Sequence, residues 1–309
     1  MANEVQSSAL VKPKESVDNV MSNITPWQTP AKTSMSKETV KNVVFTWLED
    51  SLRDVKDNAQ TEGFEAVVST QAQPVTRQNT TQIFSETYGV TRTTDKMAVY
   101  GRARESARLA KNVLRALNRD VEYALVGTGQ ESTLDNGNGV RKMAGMQAQI
   151  DPSMVVTAGT PANGDTPATP APLTEDMVLE ASQLAFDAGA EPSIILVKSA
   201  DSRRFADFAY TTPTGASTGR QRQVAGKTLI NSVTLYQSPF GDLKVVIDRF
   251  LRPTDAIVYD PSMWSFVTFD PFQSKPLAKT GDTDRTMIVG EVSCKNRNFK
   301  SSALITNLS

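Results

Sequence analysis

From Val43 to Leu48 the chain reads Val-Val-Phe-Thr-Trp-Leu, a β-branched and aromatic run that predicts a strand. Glu49-Asp50-Ser51-Leu52 and a polar stretch to Glu62-Gly63 follow. Two more β-rich blocks come next, Phe64 to Val68 and Thr80 through Ile83-Phe84 to Val90. Residues 41–93 therefore read as a long β-hairpin or small sheet. This segment has little apolar mass, and an isolated two-stranded hairpin is marginal in water, so it must lean on another surface.

The strongest periodic signal covers residues 95–126. Ala103, Ala107, Ala110, Leu114, Leu117, Val121 and Ala124 recur at three- and four-residue spacing, which marks one helix face. Thr94 with Asp95 supplies a start and Gly127 a stop. Uninterrupted, this helix would be about 48 Å long. Segment 95–127 holds seven Lys or Arg and four Asp or Glu. The favoured reading of those charges is a solvated face with same-helix pairs such as Arg119 with Glu122. The sharper reading turns the helix back toward a polyanion or another subunit.

The flanks carry different patterns. Residues 1–40 are polar and broken by Pro13, Pro26 and Pro30, and bury too little to fold alone. They read as an extended arm, with Ile24-Thr25-Pro26-Trp27 as an apolar anchor that wants a docking surface. Residues 128–172 are rich first in Gly and then in Pro. A stretch this long without elements predicts an interaction loop or extended chain held by neighbours. From Leu173 the pattern becomes α/β. It predicts a helix to Ala188 capped by Thr174, a buried strand over Ser193–Lys198, and a short helix over Ser199–Ala209 with Phe205 and Phe208 on one side. A polar loop at 211–227 precedes strands at Thr228–Leu235, Leu243–Asp248, Ala256–Tyr259, Phe266–Phe269, Thr286–Val292 and Ala303–Leu308. No internal repeat is visible.

Composition narrows the chemistry. The 309 residues are 39% hydrophobic and 22% charged, with a net charge of −1, enough for a real core and poor for binding nucleic acid by overall charge. There is no histidine, which removes Ser-His-Asp and Cys-His catalysis and every His-ligated metal site. Cys294 is the single cysteine, so no intrachain disulfide or Cys-rich metal site can form. The start of the sequence lacks the basic and apolar regions of a signal peptide, and no apolar run is long enough to span a membrane.

The remaining motifs resolve to bland readings. Gly127-Thr128-Gly129 follows a helix and lacks the Lys-Ser/Thr of a phosphate loop. Asp135-Asn136-Gly137-Asn138-Gly139 lacks the closing Glu of a calcium loop and reads as a turn. Glu49 and Asp50 are adjacent on a strand, so their carboxylates diverge and make no acid/base pair. Asn79-Thr80-Thr81 is a sequon without a secretion signal, and Cys294 reads as packed rather than reactive. Arg203-Arg204 and Arg220 with Arg222 are the best basic spots and read as surface. No catalytic constellation is left and no cofactor or metal is expected. An arm, an under-packed hairpin and long loops fit a protein that satisfies its extensions on neighbours.

Several blocks carry a resemblance. Phe45-Thr46-Trp47-Leu48-Glu49-Asp50-Ser51-Leu52, followed by Asn58-Ala59 and Glu62-Gly63, resembles the hairpin opening of a major capsid protein family of tailed double-stranded-DNA phages. Arg77, Asn79 and Thr81-Gln82-Ile83-Phe84 are similar to its next block. Arg104-Glu105 through Ala107, Leu109-Ala110-Lys111 to Arg119-Asp120-Val121-Glu122 resembles its spine helix. Lys295-Asn296-Arg297-Asn298 with Ala303–Leu308 is similar to its closing strand, and Ile24-Thr25-Pro26-Trp27 to its arm motif.

The resemblance implies an α+β chain with the Hong Kong 97 capsid fold. Its implied parts are an N-terminal arm (1–40), an extended hairpin loop (41–93), the spine helix of a peripheral domain (94–127), an axial domain (128–270) and a C-terminal return to the peripheral domain (271–309). It implies a non-enzymatic protein that self-assembles through hexamers and pentamers into an icosahedral head in the host cytoplasm. That head encloses double-stranded DNA without sequence-specific binding. Portal, scaffolding and decoration proteins are implied partners, and no membrane is. Some capsids of this fold cross-link Lys to Asn; the residues that do so are not matched here, and the resemblance carries no autocatalysis over to this chain. The alternative on the same fold is an encapsulin-like compartment. Candidate intersubunit contacts are Trp27, Trp47, Glu49, Asp50, Arg77 and Phe84, with Trp47 or Phe84 anchoring the hairpin on a neighbour.

Overall fold

A computed structural model of the chain describes residues 25–26, 28–53, 55–65, 68, 73–97, 104–135, 137–159, 169–208, 235–279 and 281–309. Its first half contains α1 (Pro30–Ser34), β1 (Ser36–Thr39), β2 (Val44–Glu49), β3 (Val75–Thr80), β4 (Gln82–Thr91), α2 (Arg92–Lys96), α3 (Glu105–Glu122) and β5 (Val155–Thr157). Its second half contains α4 (Glu175–Asp187), β6 (Ile194–Val197), α5 (Arg204–Asp207), β7 (Leu235–Ser238), β8 (Gly241–Ile247), β9 (Ala256–Tyr259), β10 (Trp264–Pro276), β11 (Thr283–Asn296) and β12 (Ser302–Thr306). The strands form a six-stranded mixed sheet in the order β5-β12-β9-β6-β8-β7, a four-stranded sheet β1-β10-β11-β4, and the pair β2-β3.

The six-stranded sheet is buried on both faces, which is why its central strands read as unbroken apolar runs. Leu196, Ile257, Tyr259 and Leu304 point to one core, while Ile195, Val197, Ala256, Val258, Ala303 and Ile305 point to the other. The second core is closed by Val178 and Ala181 of α4. That helix begins where expected, with the Thr174 side chain accepting from the Met177 backbone N–H. The first core joins the six-stranded sheet to α3 and to Phe266, Ile288 and Val292 of the four-stranded sheet.

Three sequence expectations change here. Residues 41–93 are not one hairpin: β2 pairs with β3, whereas β4 pairs along its length with β11. The strands also change sheets away from the expected boundaries at 270 and 271. Trp264 already opens a strand of the four-stranded sheet, and Ser302–Thr306 returns to the six-stranded one. Alternation identifies a strand but says nothing of which sheet it joins. Finally, residues 128–172 are not held by neighbours alone. Met143, Met146, Ile150 and Met154 are buried in the first core of their own chain. Their three- and four-residue spacing sits among Gly and Pro and forms only two short 3-10 turns, at Gln147–Gln149 and Pro152–Met154, where the flexible methionine side chains fill gaps in the core.

The long helix is shorter than its period implied. Thr94 and Asp95 belong to the separate helix α2, capped by the Thr91 hydroxyl. Asp95 nevertheless serves as a cap, because its Oδ1 accepts from the Ser106 backbone N–H at 3.1 Å in the first turn of α3. That bond holds the Asp95 carboxyl below its usual range. The buried face runs through Val113, Leu117 and Val121, and Leu114 is exposed. Glu122 is not paired with Arg119 on a solvated face. It is fully buried, and the Arg119 guanidinium lies 5.6 Å from the Phe250 ring centroid.

After Glu122 the helix ends in a π-helical turn over Tyr123–Gly127. A Cβ on Gly127 would meet the Phe250 backbone O at 2.6 Å as well as the Tyr123 ring. Gly127→Ala is therefore expected to destabilise the subunit by about 1–3 kcal/mol, as overpacking against backbone does, read as a lower urea midpoint.

Candidate assembly surface

The β2–β3 hairpin shows which residues the chain uses on itself. Phe45 and Trp47 alternate with exposed Thr46 and Leu48, so one face of β2 turns inward. Trp47 packs on Phe45 (ring centroids 5.8 Å), Phe299 (6.3 Å) and Val267. Opposite Trp47 in the ladder stands Arg77. Its guanidinium lies 4.2 Å from the Phe299 ring centroid, and its Nε donates to Glu49 Oε2 at 2.7 Å. Lys295 adds an ion pair with Glu38 at 3.0 Å, its ammonium 5.7 Å from the Trp47 ring. These contacts pin the hairpin base to β1, β10 and the turn after β11.

The structure thus brings together Trp47, Glu49 and Arg77, but as an intrachain cluster. Trp47 is 8% exposed and Phe84 7%, both buried within their own chain. Little of either ring is left exposed to meet a neighbour. A side chain that is both aromatic and on an alternating face is taken first by the subunit's own core. Asp50 is exposed beyond the strand end, and its Oδ1 accepts from the Ser51 N–H. Glu49 and Asp50 do not converge. Trp27 lies outside the described residues.

The loop beyond the base is different. From Asp50 to Glu65 every described residue is exposed. Leu52 and Val55 are 97% and 100% exposed, and Phe64 is 57%. Leu48 faces outward from β2 just before them. The chain turns at Glu62-Gly63, where Gly63 has φ +78° and the Phe64 N–H donates to Thr61 O. These apolar side chains are left in solvent along one loop instead of packing on the core of their own chain. Sequence reasoning placed Leu48 in a strand, Phe64 at the start of a β-rich block and Leu52 in a family-like block, and passed over Val55, without marking any of the four as an exposed apolar surface. The one available signal was their presence in a stretch otherwise too polar to fold.

Other sequence candidates resolve structurally. Asp135 Oδ1 accepts from the N–H groups of Gly137 and Gly139, which makes the expected turn. Cys294 is fully buried and donates to Ala144 O at 3.1 Å, and burial pushes its thiol up to about 12. Among the described residues no cluster of His, Cys, Asp or Glu could hold a metal ion, and no helix is long and apolar enough to cross a membrane. Arg220 and Arg222 lie outside the described residues.

The model of a family described as SU10 major capsid protein matches residues 2–309. The chain belongs to that family. A major capsid protein of Escherichia phage Phieco32 is 26% identical over 340 residues, covering 95% of this chain and 94% of the relative. Among solved structures, the capsid of an empty GTA particle matches over 100% of both chains with a TM-score of 0.63 at 13% identity. The SrpI encapsulin of Synechococcus elongatus PCC 7942 matches over 99% of this chain and 96% of its own, with a TM-score of 0.60 at 10% identity. At these identities the structures show the fold alone: an α+β capsid fold of the Hong Kong 97 type. The protein is a phage major capsid protein, a structural protein of the virion from a family that is not an enzyme family.

Proposed function

We propose that this capsid protein builds a closed icosahedral shell of hexamers and pentamers around double-stranded DNA, with each hairpin loop laid across a neighbouring subunit. The observation that carries the reading is the loop at residues 50–65, exposed at every described position while its base is fixed by the Trp47–Arg77–Phe299 cluster. A fixed base with an apolar, unsupported end is built to place that end on something else. In this reading α3 and the four-stranded sheet form the peripheral domain, and α4 with the six-stranded sheet forms the axial domain. The shell is assembled in the host cytoplasm, with scaffold, portal and decoration proteins as partners and no enzymatic activity of its own. The net charge of −1 favours enclosing DNA rather than gripping it.

Negative-stain electron microscopy of the purified chain, expressed alone and with a neighbouring scaffold gene, tests this directly. Closed shells or capsomer rings are the expected result. Dispersed monomers of 33.6 kDa under every condition would overturn it. The encapsulin match favours one second reading, a compartment around protein cargo. Nucleic acid rather than an enzyme inside the native particles decides against it.

A further inference from the structure

Two acidic side chains are sealed beneath the arm helix α1. Glu122 ends α3 and Asp248 follows β8, and both are 0% exposed. Glu122 Oε1 accepts from the Ala31 backbone N–H at 2.6 Å and Oε2 from the Lys32 N–H at 3.0 Å. These are the first backbone donors of α1, since Pro30 has none. Around this clasp, Ser34 Oγ is 2.7 Å from the Tyr259 hydroxyl and Lys32 Nζ donates to Asn118 Oδ1 at 2.5 Å. The clasp therefore ties the arm to the end of the long helix.

Asp248 makes the site unusual. Its Oδ1 accepts from the Phe250 N–H at 2.8 Å, while its Oδ2 is buried and receives no donor from the described residues. Its carboxyl faces that of Glu122 inside the site, and the two groups interact electrostatically. Two carboxyls can bond to each other only if one of them carries a proton, because ionised carboxylates are acceptors alone. The charged and titratable groups facing the pair are Lys32 from α1, Lys198 from the end of β6 and Tyr259 from β9, with Lys37 of β1 behind Lys32. Lys198 Nζ donates to the carbonyls of Arg249 and Leu251 at 2.6 and 2.8 Å. Lys32 lies over the rings of Phe266 and Phe272, and burial lowers its pKa. Among the described residues no cation forms an ion pair with either carboxyl, so no fixed positive charge replaces the proton.

We propose that Glu122 and Asp248 share one proton, and that this proton latches the N-terminal arm helix to the body of the subunit. Removing it sets two like charges side by side in an apolar site. The cheapest relief is to open the site, and the element that opens at least cost is the five-residue α1. Burial first, and the Asp248 charge second, push the Glu122 carboxyl up to about 8. The sign follows from linkage: for an acid raised above its unfolded value of 4.5, the stabilisation is complete below that value and is lost as pH rises through about 8. The latch is closed at neutral pH and opens under mildly alkaline conditions. It does not depend on where the hairpin loop lies.

Hydrogen exchange at the Ala31 and Lys32 amides of the full-length unassembled subunit tests the latch. Protection, corrected for the intrinsic pH dependence of exchange, is compared at about pH 6 and about pH 9. The wild type is expected to lose at least about tenfold in protection, because between the open-state and closed-state values each opening releases one proton, about a factor of ten per pH unit. Glu122→Gln leaves one acceptor oxygen for the two arm N–H groups and adds a donor toward Asp248, whereas Asp248→Asn neutralises the other partner and leaves both Glu122 acceptors in place. Each is expected to hold protection constant over the range. Unchanged wild-type protection, or an equal fall in a folded variant, overturns the latch. Should neither variant fold, the wild type alone decides: a fall at these two amides with none in α4 supports the latch, and a uniform fall or none overturns it.

Discussion

Asn79→Ala is expected to lower the stability of the isolated subunit by about 3–4 kcal/mol, the cost of stranding several buried polar groups at once. Asn79 is fully buried. Its Oδ1 accepts from the N–H groups of Thr80 and Ala144, both at 2.8 Å, and its Nδ2 donates to Cys294 O at 2.7 Å. One side chain thus closes β3, the segment around Ala144 and β11 against each other. Alanine fills little of the space and answers none of those groups, which lie too deep for bulk water. The measurement is the urea midpoint of the unassembled protein, with exposed Asn58→Ala as the control expected to stay within about 0.5 kcal/mol of wild type. A cost for Asn79→Ala below about 1 kcal/mol would show that the junction relaxes around the loss.

Asn79 also marks how far the sequence could be read. It stood out as part of a sequon and as part of a family-like block, and neither reading led to the junction it holds. Patterns that depend on neighbours along the chain were legible. Thr174 starts α4, the run Ile194–Val197 is a strand buried on two faces, and Ala256–Tyr259 is a strand with the expected limits. Patterns that depend on distant partners were not. Glu122 looked like half of a surface pair, because nothing nearby in sequence announces that the N–H groups of Ala31 and Lys32 will meet it. Val113 and Leu114 are adjacent, and alanines on either side fit both choices of helix face, so only packing selects Val113.

The assembly surface shows the same division in a sharper form. Aromatic residues on a strand are conspicuous, and Trp47 and Phe84 were read as anchors for a neighbour. They are conspicuous because they are the best core formers, and the subunit's own core takes them first. The apolar side chains left exposed beside them are less conspicuous and less regular: Leu48, Leu52, Val55 and Phe64. An interface made by a loop on a partner's surface leaves no period in the sequence, since the partner and not the loop supplies the complementary shape.

Deleting residues 51–73 and closing β2 to β3 with a two-residue turn is expected to give a folded subunit that forms no shells. The geometry permits the closure, because Glu49 and Val75 stand directly opposite in the ladder. The base contacts of Trp47, Arg77 and Phe299 all lie outside the deletion. The described residues removed are exposed, so the urea midpoint should stay within about 0.5 kcal/mol of wild type. Assembly should respond in the opposite way. Burying a side chain such as Leu52, Val55 or Phe64 on a neighbour contributes about 1.5–3 kcal/mol, and a closed shell repeats that contact at every subunit. A modest loss per contact therefore becomes a complete loss of shells, visible by electron microscopy and sedimentation. Leu52→Ser with Val55→Ser should reproduce the defect in part, by raising the concentration at which shells appear. Normal shells from the deletion would remove the loop from assembly and shift the contact to other exposed apolar sites, such as Leu134 and Val140 on the turn after α3.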